Sequence, residues 1–155
     1  GRSAGQFAQV YRYPIMIGNQ PTSGGSYKLW QHEIGVDEND GQYTNAVQSY
    51  FETADISAVS PAEGGQPSNK ALRVGYVEPD FVQEGTMYLQ VVGRPYAQQD
   101  DKVSGPYYFE PGTGKIDMRE QRRELRLRFG SNVVDGDYQM GRVLLNANVG
   151  DVRGY

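Results

Sequence analysis

At 155 residues the chain has the length of one domain and can bury a sizeable core. It contains no cysteine, which excludes disulfide staples, thiolate nucleophiles and cysteine-based zinc or iron–sulfur sites, and its single histidine cannot hold zinc alone. A formal charge of −4 argues against a dedicated nucleic-acid binder, and no apolar run has the length of a bilayer-spanning helix or a signal-peptide core.

Twelve Tyr, five Phe and one Trp supply large apolar surfaces, and 20 Gly with 8 Pro suit short strands joined by turns. Phe7 to Ile17 reads as a strand with Tyr11, Tyr13, Ile15 and Ile17 on one face, an edge or bulged strand because Pro14 cannot donate to a ladder. After Gly24-Gly25, Tyr27 to Val36 places Trp30, His32, Ile34 and Val36 on a buried face, and DENDG at 37–41 turns the chain. Ser49 to Val59 is the next expected strand, followed by a loop at 60–69. Leu72, Val74 and Tyr76 alternate into Glu78-Pro79-Asp80, which reads as a turn because proline presets its torsion. Thr86 to Gly93 puts Met87, Leu89 and Val91 on one face and Tyr88 and Val92 on the other.

A solvated loop at 98–105 precedes the short strand Tyr107 to Glu110 and the turn PGTG at 111–114. Asp117 to Glu124 has high helix propensity, yet strand continuation is the preferred reading. Glu124 to Phe129 alternates plainly: Leu125, Leu127 and Phe129 share one face, and Glu124, Arg126 and Arg128 share the other. Tyr138 to Ala147 is the last strand, set off by DGD at 135–137. The class is therefore all-β, with antiparallel sheets in a sandwich or propeller-blade-like arrangement, long loops and little helix. No clean internal repeat is visible.

Charge is unevenly spread. Glu33, Asp37, Glu38, Asp40, Glu52, Asp55 and Glu63 lie between Leu29 and Asn69 without a Lys or Arg. Lys115, Arg119, Arg122, Arg123, Arg126 and Arg128 outnumber the acids of their segment. Two such regions can pair head to tail between identical subunits, or form an ordinary mixed surface.

Catalytic and metal motifs do not assemble. His32 sits among apolar residues and no Gly-x-Ser-x-Gly elbow exists, so a packed histidine with one hydrogen-bonded nitrogen is expected. Asp37-Glu38-Asn39-Asp40-Gly41 fails the EF-hand register and reads as a polar turn. The glycines at 112–114 lack the lysine of a phosphate loop. Tyr107-Tyr108-Phe109 could stack on bases but is better explained as core aromatics. No catalytic residue, metal or cofactor is expected.

The segments KLWQHEIGVDENDG (28–41), SYFETADI (49–56), VEPDFVQEGTMYLQVVGRPYAQQDDK (77–102) and PYYFEPGTGKIDMREQRRELRLRFGSNVVDGDYQMGRVLLNANVGDVRGY (106–155) together resemble the C-terminal region of the tail nozzle or hub proteins of short-tailed phages, the packaged-DNA stabilisation proteins. The resemblance covers most of residues 28–155, so 28–155 is expected to be one β-rich domain and 1–27 an N-terminal strand and linker of unknown affiliation. It implies a virion protein without enzymatic activity. Copies form a ring, usually sixfold, below the portal and adaptor, extending and closing the DNA channel until ejection. Members are much longer, and the first residue here is Gly, so a C-terminal fragment, a shortened relative, or a processed or tagged chain is expected. Carried over as candidate subunit-interface residues are Arg122, Arg123, Arg126 and Arg128, with Glu78, Asp80 and Phe81 on a shaped turn. DNA would pass without sequence-specific binding, because each phosphate neutralised adds drag. No membrane partner is implied. The alternatives are a carbohydrate- or receptor-binding β-module and, last, a hydrolase with two carboxylates.

Overall fold

The computed structural model describes residues 2–6, 9–22, 24–60, 66–67, 70–96 and 98–150. The chain forms two compact units, Gly1–Gly35 and Val36–Tyr155. The first is an antiparallel three-stranded sheet of β1 (Arg2–Gln6), β2 (Ile15–Pro21) and β3 (Tyr27–Gln31), with β2 central. The strand expected over 7–17 is thus divided: Phe7 lies outside the described residues, and the chain bends between Tyr11 and Pro14 before β2 begins. The first compact unit extends to Gly35, and Tyr27–Gln31 is hydrogen-bonded into its sheet. β3 also stops short of Val36. Glu33 (φ 62°) and Gly35 (φ 66°) adopt the left-handed region, which no continuing strand tolerates, and Ile34 and Val36 are exposed.

In the second unit, β4 (Asp37–Asn39) and β5 (Thr44–Ala46) form a small hairpin. Asp40 closes its turn by accepting the backbone N–H groups of Gln42 and Tyr43 at 3.0 and 2.8 Å. The single strand expected over 49–59 is three pieces: β6 (Ser49–Glu52), β7 (Ile56–Ser57) and β8 (Val59–Ser60), the last paired with β9 (Gln66–Pro67). Then come β10 (Leu72–Glu84), β11 (Met87–Arg94), β12 (Lys102–Phe109), β13 (Ile116–Arg122), β14 (Glu124–Ser131) and β15 (Asp137–Val149). The 117–124 segment is strand, as its alternating burial requires, and the described residues contain no helix.

Two antiparallel sheets carry the core, one ordered β13-β10-β15 and one ordered β12-β11-β14-β6, with β7 also pairing β14. Val74 and Val77 of β10, Ile116 and Met118 of β13, and Val143 and Leu145 of β15 pack against Met87, Leu89 and Val91 of β11 and Leu125, Leu127 and Phe129 of β14. The fold is an all-β sandwich, and the alternation expected for β11 and β14 is the one that fills it. Between β6 and β7 the chain leaves the ladder, yet Leu127 keeps both backbone bonds: Thr53 N–H donates to its carbonyl and its N–H donates to Thr53 Oγ1, each at 3.0 Å.

Glu78-Pro79-Asp80 is not a turn. It lies inside β10, paired with β15, where the register slips between Pro79 and Phe81. β13 pairs β10 only as far as Val77, so proline's missing N–H falls beyond that ladder and at a bulge. Gly141 makes room for it, since a Cβ there would meet the Asp80 carbonyl at 2.2 Å. The bulge aims Phe81 inward against Phe129 and Phe109, with ring centroids at 5.1 and 6.1 Å, which ties the two sheets together. Truncating the fully buried Phe129 to Ala is expected to cost about 3–5 kcal/mol in urea unfolding, whereas Leu144→Ala on the surface changes stability by less than about 0.5 kcal/mol.

Candidate functional site

The outer face of the five-stranded sheet is built from cross-strand rows. Tyr108 of β12 stands opposite Tyr88 of β11, Tyr88 opposite Gly130 of β14, and Gly130 opposite Tyr50 of β6. Gly130 is required here because Tyr88 lies across it: an added Cβ would meet the Tyr88 hydroxyl at 2.5 Å and the Ser49 carbonyl at 2.7 Å. Tyr88 is therefore buried as a floor, while Tyr50 and Tyr108 stand 62% and 65% exposed on either side. The next row is Gln90, Arg128 and Glu52, and Arg128 also reaches over the Tyr50 ring at 5.2 Å. With Gln48, Pro106 and Asn132, the three tyrosines, Gln90 and Arg128 line an open groove of about 460 Å³.

Below it the face is a ladder of ion pairs. Arg128 Nε donates to Glu52 Oε2 at 2.7 Å. Arg126 Nε lies 3.4 Å from Glu52 Oε1 and 3.6 Å from Asp55 Oδ1, while its Nη2 bonds Asp101. Arg94 donates to Glu124 Oε2 through Nε and Nη2, both at 3.0 Å, across a directly opposed pair. Val92, opposite Arg126, is buried on this outer face, so the arginine stems also shed water from the sheet. The acidic and basic segments of the sequence therefore meet within one chain.

A second polar group closes one side of the core. On β13 the inward positions change from Ile116 and Met118 to Glu120 and Arg122, both nearly buried and paired at 3.0 Å. Arg122 Nη2 also donates to Ser104 Oγ at 2.9 Å, and the Tyr107 hydroxyl donates to Glu120 Oε1 at 2.8 Å. Burial, then the bond to Glu120, pushes the Tyr107 phenol up to about 12.

The residues carried over from the resemblance are not gathered into one surface. Arg122 is inside the buried pair, and Arg126 and Arg128 are in the outer ladder. Arg123 is half-buried beside Arg94, whose carbonyl accepts its N–H at 3.2 Å. Phe81 belongs to the core, Glu78 is half-buried on β10, and Asp80 is exposed at the bulge. His32 is half-buried in the first unit, where its Nε2 accepts from Arg2 Nε at 3.2 Å beside the Trp30 ring that Arg2 covers. Among the described residues no group of three His, Asp or Glu side chains is placed to hold a metal ion.

Sequence reading missed Tyr50, Tyr88 and Tyr108 as one row. The available signal was alternation: in Tyr107-Tyr108-Phe109 the middle ring must point away from its neighbours. In comparisons with known proteins, no family model matches the chain and no curated protein matches it.

Because the folded state holds the Tyr107 proton more tightly than the usual value near 10, the stability it confers is complete below about pH 10. That stability is lost as pH rises toward about 12. Urea midpoints of the wild type should fall across this window more steeply than those of Tyr107→Phe, which removes the hydroxyl.

Proposed function

We propose that this chain is a structural protein of a phage tail, part of a ring-shaped nozzle or hub that extends and closes the DNA channel and retains packaged DNA until ejection. What supports the reading is the resemblance of the ordered segments between Lys28 and Tyr155 to that protein family. Its partners are copies of itself, in the sixfold ring usual for that family, with the portal, adaptor and other tail proteins above and around it, and its location is the virion.

Two features of the second unit support this assignment. First, β15 is hydrogen-bonded to a strand along one edge only among the described residues, and Asp137 and Arg142 are its only charges over 13 residues. Such an edge offers unpaired backbone groups to a neighbour and lacks the lysines that usually blunt it. Second, Arg126 and Arg128 are already engaged by Glu52, Asp55 and Asp101. With both arginines so engaged, the face gives phosphates little to grip, as a channel that passes duplex DNA requires. The subunit contact is therefore assigned to the β15 edge and the exposed bulge at Asp80 rather than to the arginines.

Native mass measurement and negative-stain imaging test the proposal. A closed ring with a channel wide enough for duplex DNA is expected, without measurable duplex affinity at physiological salt. Leu144→Lys, on the free strand, should leave melting within a few degrees of wild type and shift the mass to monomer. A wild type that stays monomeric at high micromolar concentration would overturn it.

A further inference from the structure

We infer that the outer groove of the five-stranded sheet is a binding site for a neutral oligosaccharide, a site that does not depend on the tail assignment. The argument starts from what the groove contains. Tyr50 and Tyr108 stand exposed on both sides of the buried Tyr88, Tyr50 with Arg128 over one ring face, in one row that crosses four strands and so spans roughly 14 Å at the usual strand spacing. Exposed aromatic faces on a rigid sheet have a negative quadrupole surface, which attracts the polarised C–H faces of a sugar ring.

Between those rings the groove supplies hydrogen-bonding groups and little else. Every lining residue except Pro106 carries a polar side-chain atom. The amides of Gln48, Gln90 and Asn132 make no hydrogen bond to a described residue, so all three are uncommitted. Each amide both donates and accepts, as does a sugar hydroxyl, so adjacent hydroxyls can be met in either sense. The volume of about 460 Å³ is that of a small-ligand site.

Charge selects among ligands that stack. Among the described residues that line the groove Arg128 is the one cation, and Glu52 binds it at 2.7 Å, so its charge is balanced. An anionic sugar or a single-stranded nucleic acid gains no free cation here, whereas stacking platforms for nucleic acid rely on a positively charged groove. The groove lies on the face of the sheet between β12 and β6, so an extended peptide would join along the outer edge of either strand rather than in the groove. A polyhydroxyl ligand without charge fits all of these conditions.

The test is nuclear magnetic resonance titration of the whole chain with maltohexaose, cellohexaose, chitohexaose and isomaltohexaose at millimolar concentration. Oligogalacturonate, oligothymidylate and protein alone at increasing concentration serve as comparators. At least one neutral hexasaccharide should shift the side-chain NH₂ signals of Gln48, Gln90 and Asn132 saturably. Tyr108→Ala and Tyr50→Ala should each weaken that binding about tenfold or more while the melting temperature holds, since both rings are exposed. The inference is overturned if none of the neutral sugars moves these signals, or if both variants bind like wild type. It is equally overturned if oligogalacturonate or oligothymidylate binds the groove more tightly than every neutral sugar. If concentration alone moves the same signals, the face is a contact between copies and the sugar site is refuted.

Discussion

The two-residue period of β14 constrains both surfaces of the larger unit at once. Leu125, Leu127 and Phe129 are essentially inaccessible and complete the core, while Glu124, Arg126 and Arg128 project from the opposite side of the same six residues. β14 is hydrogen-bonded on one side to β11 and on the other to β6 and β7, so its register fixes three other strands. A slip of one residue would carry two guanidinium groups into the core and three large apolar groups into water, a change no rearrangement of loops could offset. The slip is further opposed by Glu52 and Glu124, which accept arginines only in the observed pairing.

The rest of the sandwich follows from that strand. Phe129 anchors the aromatic contact with Phe81 and Phe109, and Phe81 reaches it because β10 bulges after Pro79. Gly130 lets Tyr88 lie flat and so levels the outer face between Tyr50 and Tyr108. Where the apolar positions of β13 end, Glu120 pairs with Arg122 and accepts from the Tyr107 hydroxyl, while Arg122 Nε stays buried without a partner. A buried pair of this kind contributes specificity more than net stability, because desolvation offsets much of the attraction.

Much of this was legible in the residues. Strict alternation marked β14, a run apolar on both faces marked β11, and the absence of helix-length periodicity marked the class. The reading failed where a local signal was overruled by pairing. Pro79 indicates a turn in isolation, but β15 runs alongside for 13 residues and absorbs the proline in a bulge. Tyr27 to Val36 alternates to the end, yet the strand is cut by left-handed backbone at Glu33, which side-chain pattern does not encode. The arginine face was legible as a face. Its partners were not, because Glu52 lies 76 positions from Arg128 and Asp101 lies 25 from Arg126, and sequence order carries no record of such closure.

The larger unit thus presents surfaces fixed by strand register, with the arginines of β14 paired across it. The most direct test is a double-mutant cycle on Glu52→Gln and Arg128→Gln, read by chemical unfolding at low and high salt. A favourable coupling of about 1 kcal/mol that shrinks as salt rises is expected for this partly buried pair. Strictly additive effects at low salt would mean that Arg128 is not held by its own chain, and the ladder on β14 would lose its role.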